Sequence, residues 1–284
     1  MYKIVVHPGS AHKDDFLSVS VLLASLDRVE AVYRREATPE DLADRFTYVV
    51  DVGMDYNEQL HNFDHHQDSL LPCAFHLVMK HLGHHERATL MFEWYGYMSM
   101  IDVRGPYRTA EHLGIDTGVL FAASSPIDGY ILSRFSKLDE LKRGDLFYAL
   151  MKEFGLDLLA MIERKYKRLE RLKAEAQVVP VRHLKAIVST IAEDPKLSMD
   201  RYIRYLNDKL VAMSITPSAR GEGWEMLRLG DNSSVDFRAV ADNPEIRFVH
   251  ANGFVAKTQT LLPLEEAVQL ATQAVTPLES FWLP

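Results

Sequence analysis

Cysteine is almost missing from this chain: Cys73 is the single one in 284 residues. That excludes an internal disulfide and any cysteine-based zinc cluster, and it fits a reducing cytoplasm. Long apolar runs are missing too. No uninterrupted stretch approaches the ~18 residues that a membrane helix needs, so no membrane association is expected. The opening Met1-Tyr2-Lys3-Ile4-Val5-Val6-His7 has too short an apolar stretch for a signal peptide and reads as a first strand. Positive charge is in deficit, with 32 Lys and Arg against 40 Asp and Glu, a net charge of −8. An acidic surface repels a long duplex unless a basic patch or a bound metal compensates. A nucleic-acid substrate would therefore be short or single-stranded and held near metal ions. Internal repeats and low-complexity tracts are absent. Histidine is scarce after residue 112, where only His183 and His250 follow the first ten of twelve. Metal chemistry, where present, belongs mainly to the N-terminal half.

What is present suits a packed protein. Apolar residues make up 47% and charged residues 25% of the chain, an ordinary globular composition, and the length predicts two domains or one large one. Residues 2–7 form a β-branched run, a buried strand. After Pro8-Gly9-Ser10, apolar residues recur at helical spacing at Phe16, Val19, Leu22, Leu23 and Leu26, with Asp14 or Asp15 at the expected N-cap. A second strand covers 29–33. Thr38-Pro39 opens a short helix with Thr as cap and Pro at the first position, and a third strand covers 47–52. Strand, helix, strand, helix, strand at this spacing indicates a parallel α/β sheet. Helices are predicted near 73–82 and 86–102, and a long one over 145–177 whose interleaved Lys, Arg and Glu read as a solvated face. After Pro180 the texture changes to short strands at 186–190, 210–215, 223–229 and 246–250, with a last helix over 263–275. The domains are expected at 1–177 and 178–284.

Three segments carry candidate chemistry. The first, His7-Pro-Gly-Ser-Ala-His12-Lys-Asp14-Asp15, lies where strand one gives way to a helix, and ligands of parallel α/β sheets bind beyond strand carboxyl ends. Imidazole with carboxylate suits a divalent transition metal such as manganese better than calcium or magnesium. The second is Asp51, a carboxylate ending an apolar strand, which is costly to bury without a cation or donors. The third is Asp64-His65-His66-Gln67, where one imidazole can bind metal, its neighbour can face a substrate, and the aspartate can orient a ring. His84-His85 is a similar pair but reads as an exposed helix start.

In this order the segments resemble the DHH phosphoesterase superfamily, which includes RecJ-type exonucleases and family II inorganic pyrophosphatases. More closely, the chain resembles the melanocyte-proliferating-gene (Myg) exonuclease family. The likeness rests on 7–15, on Val50-Asp51-Val52-Gly53-Met54-Asp55-Tyr56, on Asn62-Phe63-Asp64-His65-His66-Gln67, and on Phe248-Val249-His250-Ala251-Asn252-Gly253-Phe254 followed by Leu264-Glu265-Glu266-Ala267. Residues 107–205 match poorly.

The resemblance implies a parallel-sheet DHH domain followed by a smaller α+β substrate-binding domain, with the active site in the cleft between them. It implies two ions, usually manganese, with magnesium as the alternative. The ligands would be His7, His12, Asp14, Asp51, His65 and Asp102, with Asp51 bridging, and His66 and Asp64 would serve the chemistry. Asp102 stands in an Ile-Asp-Val-Arg-Gly context where the family carries Ile-Asp-Asn-Gly; Asp116, in Ile115-Asp116-Thr117-Gly118, competes with it through the Asp-Thr-Gly of other DHH branches. Arg220, His250, Asn252, Gly253 and Lys257 would contact substrate, since cations and imidazoles recognise phosphate. The chain departs from the family at Ala11, Lys13 and Asp15 around the first motif, and at Asn252, Ala256 and Lys257 near its end. The implied activity is 3′ to 5′ hydrolysis of short RNA or DNA. The alternatives are a pyrophosphatase, a phosphatase of a small phosphorylated metabolite, or a non-catalytic metal-binding module. A homodimer is compatible with each.

Overall fold

The computed structural model describes residues 1–122, 125–191 and 197–277. It is mixed α/β and divides into two compact units, Met1–Arg164 and Lys165–Pro284.

In unit 1 the chain runs β1 (Tyr2–Val6), α1 (Lys13–Ser25), β2 (Val29–Arg34), α2 (Pro39–Ala43), β3 (Thr47–Val50), β4 (Tyr56–Asn57) and β5 (Asn62–Phe63). It continues through α3 (Ala74–His81), α4 (His85–Met91), α5 (Glu93–Arg104), α6 (Pro106–Leu113), α7 (Thr117–Ala122), α8 (Pro126–Phe135) and β6 (Glu140–Lys142) into the long α9 (Leu146–Glu175). The strands order as β4-β5-β3-β1-β2-β6. β1 is parallel to β2 and β3, and β3 to β5, while β4 and β6 pair antiparallel at the two edges. Ile4, Val5, Val6, Val49 and Val50 are wholly buried, as expected of strands covered on both faces. Three loops therefore leave the same end of the sheet, after β1, β3 and β5.

Several local expectations need correction. His12, not Asp14 or Asp15, is the N-cap of α1. Asp15 sits at the third helical position, and its Oδ1 accepts from the His12 N–H at 2.9 Å and the Phe16 N–H at 2.6 Å. A carboxylate there can reach back to the cap, so the capping acid need not occupy the cap itself. β3 stops at Val50 rather than 52 because Asp51 turns to φ +56. The helix expected over 86–102 is two, α4 and α5, broken at Phe92, whose φ −128 and ψ 121 are extended. His84 and His85 are half-buried rather than exposed, with the His85 Nδ1 2.9 Å from the Tyr95 hydroxyl. Thr38 caps α2 as expected.

Unit 2 holds β7 (Gln177–Val181), β8 (Leu184–Val188), α10 (Met199–Leu206), β9 (Val211–Pro217), β10 (Trp224–Arg228), β11 (Ile246–Val249), β12 (Val255–Thr258) and α11 (Leu264–Gln273). Its sheet orders as β11-β12-β10-β9-β8-β7. Only β8–β9 is parallel; the other pairings are antiparallel. β7 escapes a sequence reading because Pro180 stands inside it, a residue tolerated only on an edge strand. The units divide within α9, whereas the sequence texture changes where α9 ends. Among the described residues no helix is long and apolar enough to cross a membrane.

α9 crosses α1 at Gly155. A β-carbon there would lie 2.0 Å from the Ser20 carbonyl oxygen and 3.0 Å from the Ala24 Cβ. Replacing a helical glycine by alanine ordinarily gains ~1 kcal/mol, but overpacking against backbone costs about 1–3 kcal/mol or more. The clash should win. Gly155→Ala is expected to lower the urea midpoint without changing the slope, and a raised midpoint would refute this close crossing.

Candidate metal centre

Each of the three loops delivers one element of a polar cluster. His7 follows β1, Asp51 follows β3, and Asp64-His65-His66 follow β5. The N-terminus of α1 adds His12 and Asp14, and α5 adds Asp102. Three sets of ligand atoms converge to within 4.8 Å of one another: His7, His12 and Asp51; Asp51, His65 and His66; and His12, Asp14 and Asp102. Asp51 thus stands in two of the sets. The six residues expected as ligands come together, with His66 beside them. Asp116 does not join: it is exposed, and its Oδ1 accepts from the Gly118 N–H at 2.8 Å.

The contacts are close. The His65 Nε2 lies 3.2 Å from Asp51 Oδ1 and 3.1 Å from Asp102 Oδ2. The His7 Nε2 lies 2.9 Å from Asp15 Oδ2 and 3.4 Å from Asp51 Oδ2. The His7 Nδ1 is 2.7 Å from the Pro8 carbonyl and donates to it, so the nitrogen that faces the cluster, and that would offer a lone pair once deprotonated, is Nε2. Asp14 is 1% exposed, and both its oxygens are buried without accepting a hydrogen bond. Such an orphaned carboxylate is costly unless a cation meets it. Imidazole nitrogens and carboxylate oxygens converging on shared points fit a divalent transition ion.

The proton inventory leads to the same conclusion. Burial, together with the carboxylates of Asp51, Asp102 and Asp15, pushes Asp14 well above the usual carboxylate range. Burial raises Asp51 also. For His65 burial works downward, but the Asp102 and Asp51 carboxylates outweigh it and raise the imidazole to about 9. Asp102 gains in return: burial opposes its charge, yet the His65 contact holds its carboxyl below the ordinary value. Without a cation the cluster retains protons.

Two buried residues brace this arrangement. Asp64 is 1% exposed. Its Oδ1 accepts from the His65 N–H (2.7 Å) and the His66 N–H (3.1 Å) and lies 2.7 Å from the His66 Nδ1. Its Oδ2 accepts from the Met54 N–H at 2.7 Å. Burial pushes this carboxyl up, but the donors of His66 and Met54 hold it below its usual range. Asp64 therefore clamps the loop after β3 to the loop after β5. Asp15, fully buried, touches both His12 and His7. Arg34, absent from the sequence expectations, stands 3.7 Å from Asp15, donates to the Gly9 carbonyl at 3.1 Å, and lies 4.3 Å over the Phe135 ring. The available signal was its position: a charged residue ending an apolar strand, as Asp51 does.

A cavity of about 390 Å³ opens on the cluster, lined by His7, His12, Asp51, Asp64, His66 and Asp102 together with Ser10 and Glu36.

Comparison with known proteins bears on this N-terminal stretch. The family model described as "Uncharacterised protein family (UPF0160)", named for the MYG1 exonuclease, matches residues 3–97. The MYG1 exonuclease of Mus musculus is 40% identical over 65 residues, 23% of this chain. The match spans 17% of the mouse protein's length. The family model's span takes in His7, His12, Asp14, Asp51, His65 and His66 and stops short of Asp102. Two solved structures align with 96% of the chain: an uncharacterized protein from Helicobacter pylori G27 (10% identity, all of that chain) and an exopolyphosphatase-related protein from Bacteroides fragilis (12% identity, 91% of that chain). Both TM-scores are 0.28, and superpositions that loose say nothing about chemistry.

The remaining expected residues lie in unit 2. His250, Asn252 and Gly253 form the turn between β11 and β12, in which the Asn252 N–H donates to His250 Nδ1 at 3.1 Å. That bond leaves Nε2 of a neutral His250 as a donor. Gly253 has φ +67, and a β-carbon would lie 2.0 Å from the Asp236 Oδ1, so only glycine fits. Lys257 is paired with Glu225 across β10 and β12 at 2.8 Å. Arg220 lies exposed in the loop between β9 and β10.

Two outcomes are expected. Asp102→Ala should lower bound divalent metal, measured by elemental analysis after refilling, whereas Asp116→Ala should leave it unchanged; the reverse would move the fourth carboxylate to Asp116. The second concerns pH. His65, raised from 6.5 to about 9, stabilises the metal-free fold fully below its unfolded value, and that contribution is lost as pH rises through its folded value. His7 is raised in the same direction. The melting temperature of chelator-treated protein should therefore fall between about pH 6.5 and about pH 9, while metal uptake should strengthen as the imidazole frees its lone pair. A flat or rising melting temperature over that window would remove the His65–Asp102 pair from the account.

Proposed function

We propose that this chain is a metal-dependent phosphoesterase of the DHH type, related to the Myg exonucleases, that hydrolyses phosphodiester bonds of short RNA or DNA in the 3′ to 5′ direction. The observation that carries this reading is Asp51, which stands in two sets of candidate ligands inside the stretch matched by the family model named for the MYG1 exonuclease. A carboxylate shared between two sets is what two neighbouring ions require. His7, His12, Asp14, Asp51, His65 and Asp102 would hold two manganese ions. When bound, paired ions stabilise the charge that builds on phosphoryl oxygens and lower the pKa of water.

The chain's own side chains supply the rest. The His66 side chain is 53% exposed and lines the cavity. Its Nδ1–H is directed at Asp64, which leaves Nε2 as the atom that can hand a proton to, or hydrogen-bond, a phosphate ester. Asp64 then acts on the reaction through His66, by fixing tautomer and ring orientation. In unit 2, Arg220, His250 and Asn252 are assigned to substrate contact, and Gly253 to shaping their turn. Lys257 could serve only by leaving Glu225.

The test is a manganese-supplemented assay comparing a short oligoribonucleotide, a short oligodeoxynucleotide and pyrophosphate. Oligonucleotide shortening from the 3′ end is expected; pyrophosphate turnover with both oligonucleotides intact would sink the nuclease reading. In the same assay His65→Ala should lose bound manganese. His66→Ala should keep it yet slow by ~10²–10⁴-fold, the usual contribution of a general acid.

A further inference from the structure

α1 has two working faces. At about 100° of rotation per residue, Lys13, Phe16 and Leu17 share one side of its first turn, whereas Asp14 and Asp15 point elsewhere, toward the metal cluster. The first side lines a second cavity of about 490 Å³, within the range of small-ligand sites. Its walls are aromatic and aliphatic, from Phe16 on α1, Phe92 and Trp94 around the start of α5, Ile131 on α8, and Phe154 on α9. Phe16 meets Phe154 edge-on at 5.7 Å between centroids, and Trp94 is 39% exposed. Acceptors stand among these walls. Asp128 accepts from the Lys13 Nζ at 2.7 Å through one oxygen, and Asp157 joins it in the lining. Lys13 lies between His12 and Asp14 in the chain, so this cavity and the candidate metal centre share one helical turn.

We propose that this cavity binds a nucleobase, that of the nucleotide carrying the phosphate at the metal centre. Resting on the phosphodiesterase reading, the assignment follows from three features. The walls offer ring faces on which a planar base stacks, a contact open to every base because each has a π-face. The carboxylates offer acceptors for amino groups on a base edge, for which an alkyl chain has no use. The shared turn of α1 puts the pocket beside the cluster that would hold the phosphate. Base binding at this point would help a short, single-stranded substrate bind an otherwise acidic protein.

Calorimetric titration of the manganese-supplied protein with adenosine, which has no phosphate, tests the pocket independently of hydrolysis. Saturable binding of adenosine but not of ribose is expected. It should weaken about ten-fold or more in Trp94→Ala, which removes an aromatic wall, and disappear in Ile131→Trp, which fills the space. Circular dichroism and manganese content at wild-type levels would show both variants folded. No adenosine binding at millimolar concentration would overturn the proposal. So would binding that both variants leave unchanged, or binding of octyl glucoside in place of adenosine. A failed hydrolysis assay with intact adenosine binding would instead overturn the phosphodiesterase reading alone.

Discussion

Four carboxylates, those of Asp14, Asp15, Asp51 and Asp102, crowd one end of a parallel sheet, three of them at most 3% exposed. Like charges so placed cannot all ionise in a dry interior. The protein meets part of that charge with Arg34 and with protonated imidazole at His65. Asp14, buried against Asp102, is left to retain a proton. The rest of unit 1 serves this constraint. Parallel β1, β3 and β5 send their loops to one end, α1 starts there, and α5 brings Asp102 across. A buried acidic cluster of this kind is a liability in a protein that binds no cation. The chemistry of the donor set, more than any single distance, therefore marks the site as a candidate metal centre.

Holding that set together takes strain and bracing. Asp51 adopts φ +56, a left-handed conformation that costs about 1–3 kcal/mol outside glycine, though aspartate tolerates it better than most residues. The turn ends β3 and aims the carboxylate back at His65 and His7. Asp64 offsets the strain by accepting from both adjoining loops. Asp15 does the same for the first motif, tying the His12 backbone to the His7 ring. The short acid at this position reaches the cap N–H and the imidazole together.

The parallel sheet and the order of the clustered histidines and aspartates were legible in the sequence because both are local. β-branched runs mark β1 and β3, and the histidines and aspartates follow directly after strands. What was hidden is set by tertiary packing. Two-residue strands such as β5 carry no periodicity. Phe92 breaks a helical pattern without a proline or glycine to announce it. Arg34 looks like any basic residue until the fold places it beside Asp15 and over Phe135. Around α6 to α8 the helices are short and largely exposed, so their apolar residues do not form a clean stripe, and a resemblance-based alignment is weakest there.

Departures from the family pattern acquire a direction when the two faces of α1 are considered together. Residues facing the acidic cluster keep the chemistry that ligation demands, His12 and Asp14. Lys13, facing away, forms a salt bridge to Asp128 on α8 in the lining of the aromatic cavity. A surface ion pair of this kind contributes little to stability, typically under about 1 kcal/mol. Its effect is local, because it fixes one oxygen of Asp128 in the cavity lining. Within one helical turn the chain thus separates two demands. One side carries the buried acid and imidazole cluster, while the other carries an aromatic cavity edged by an ion pair.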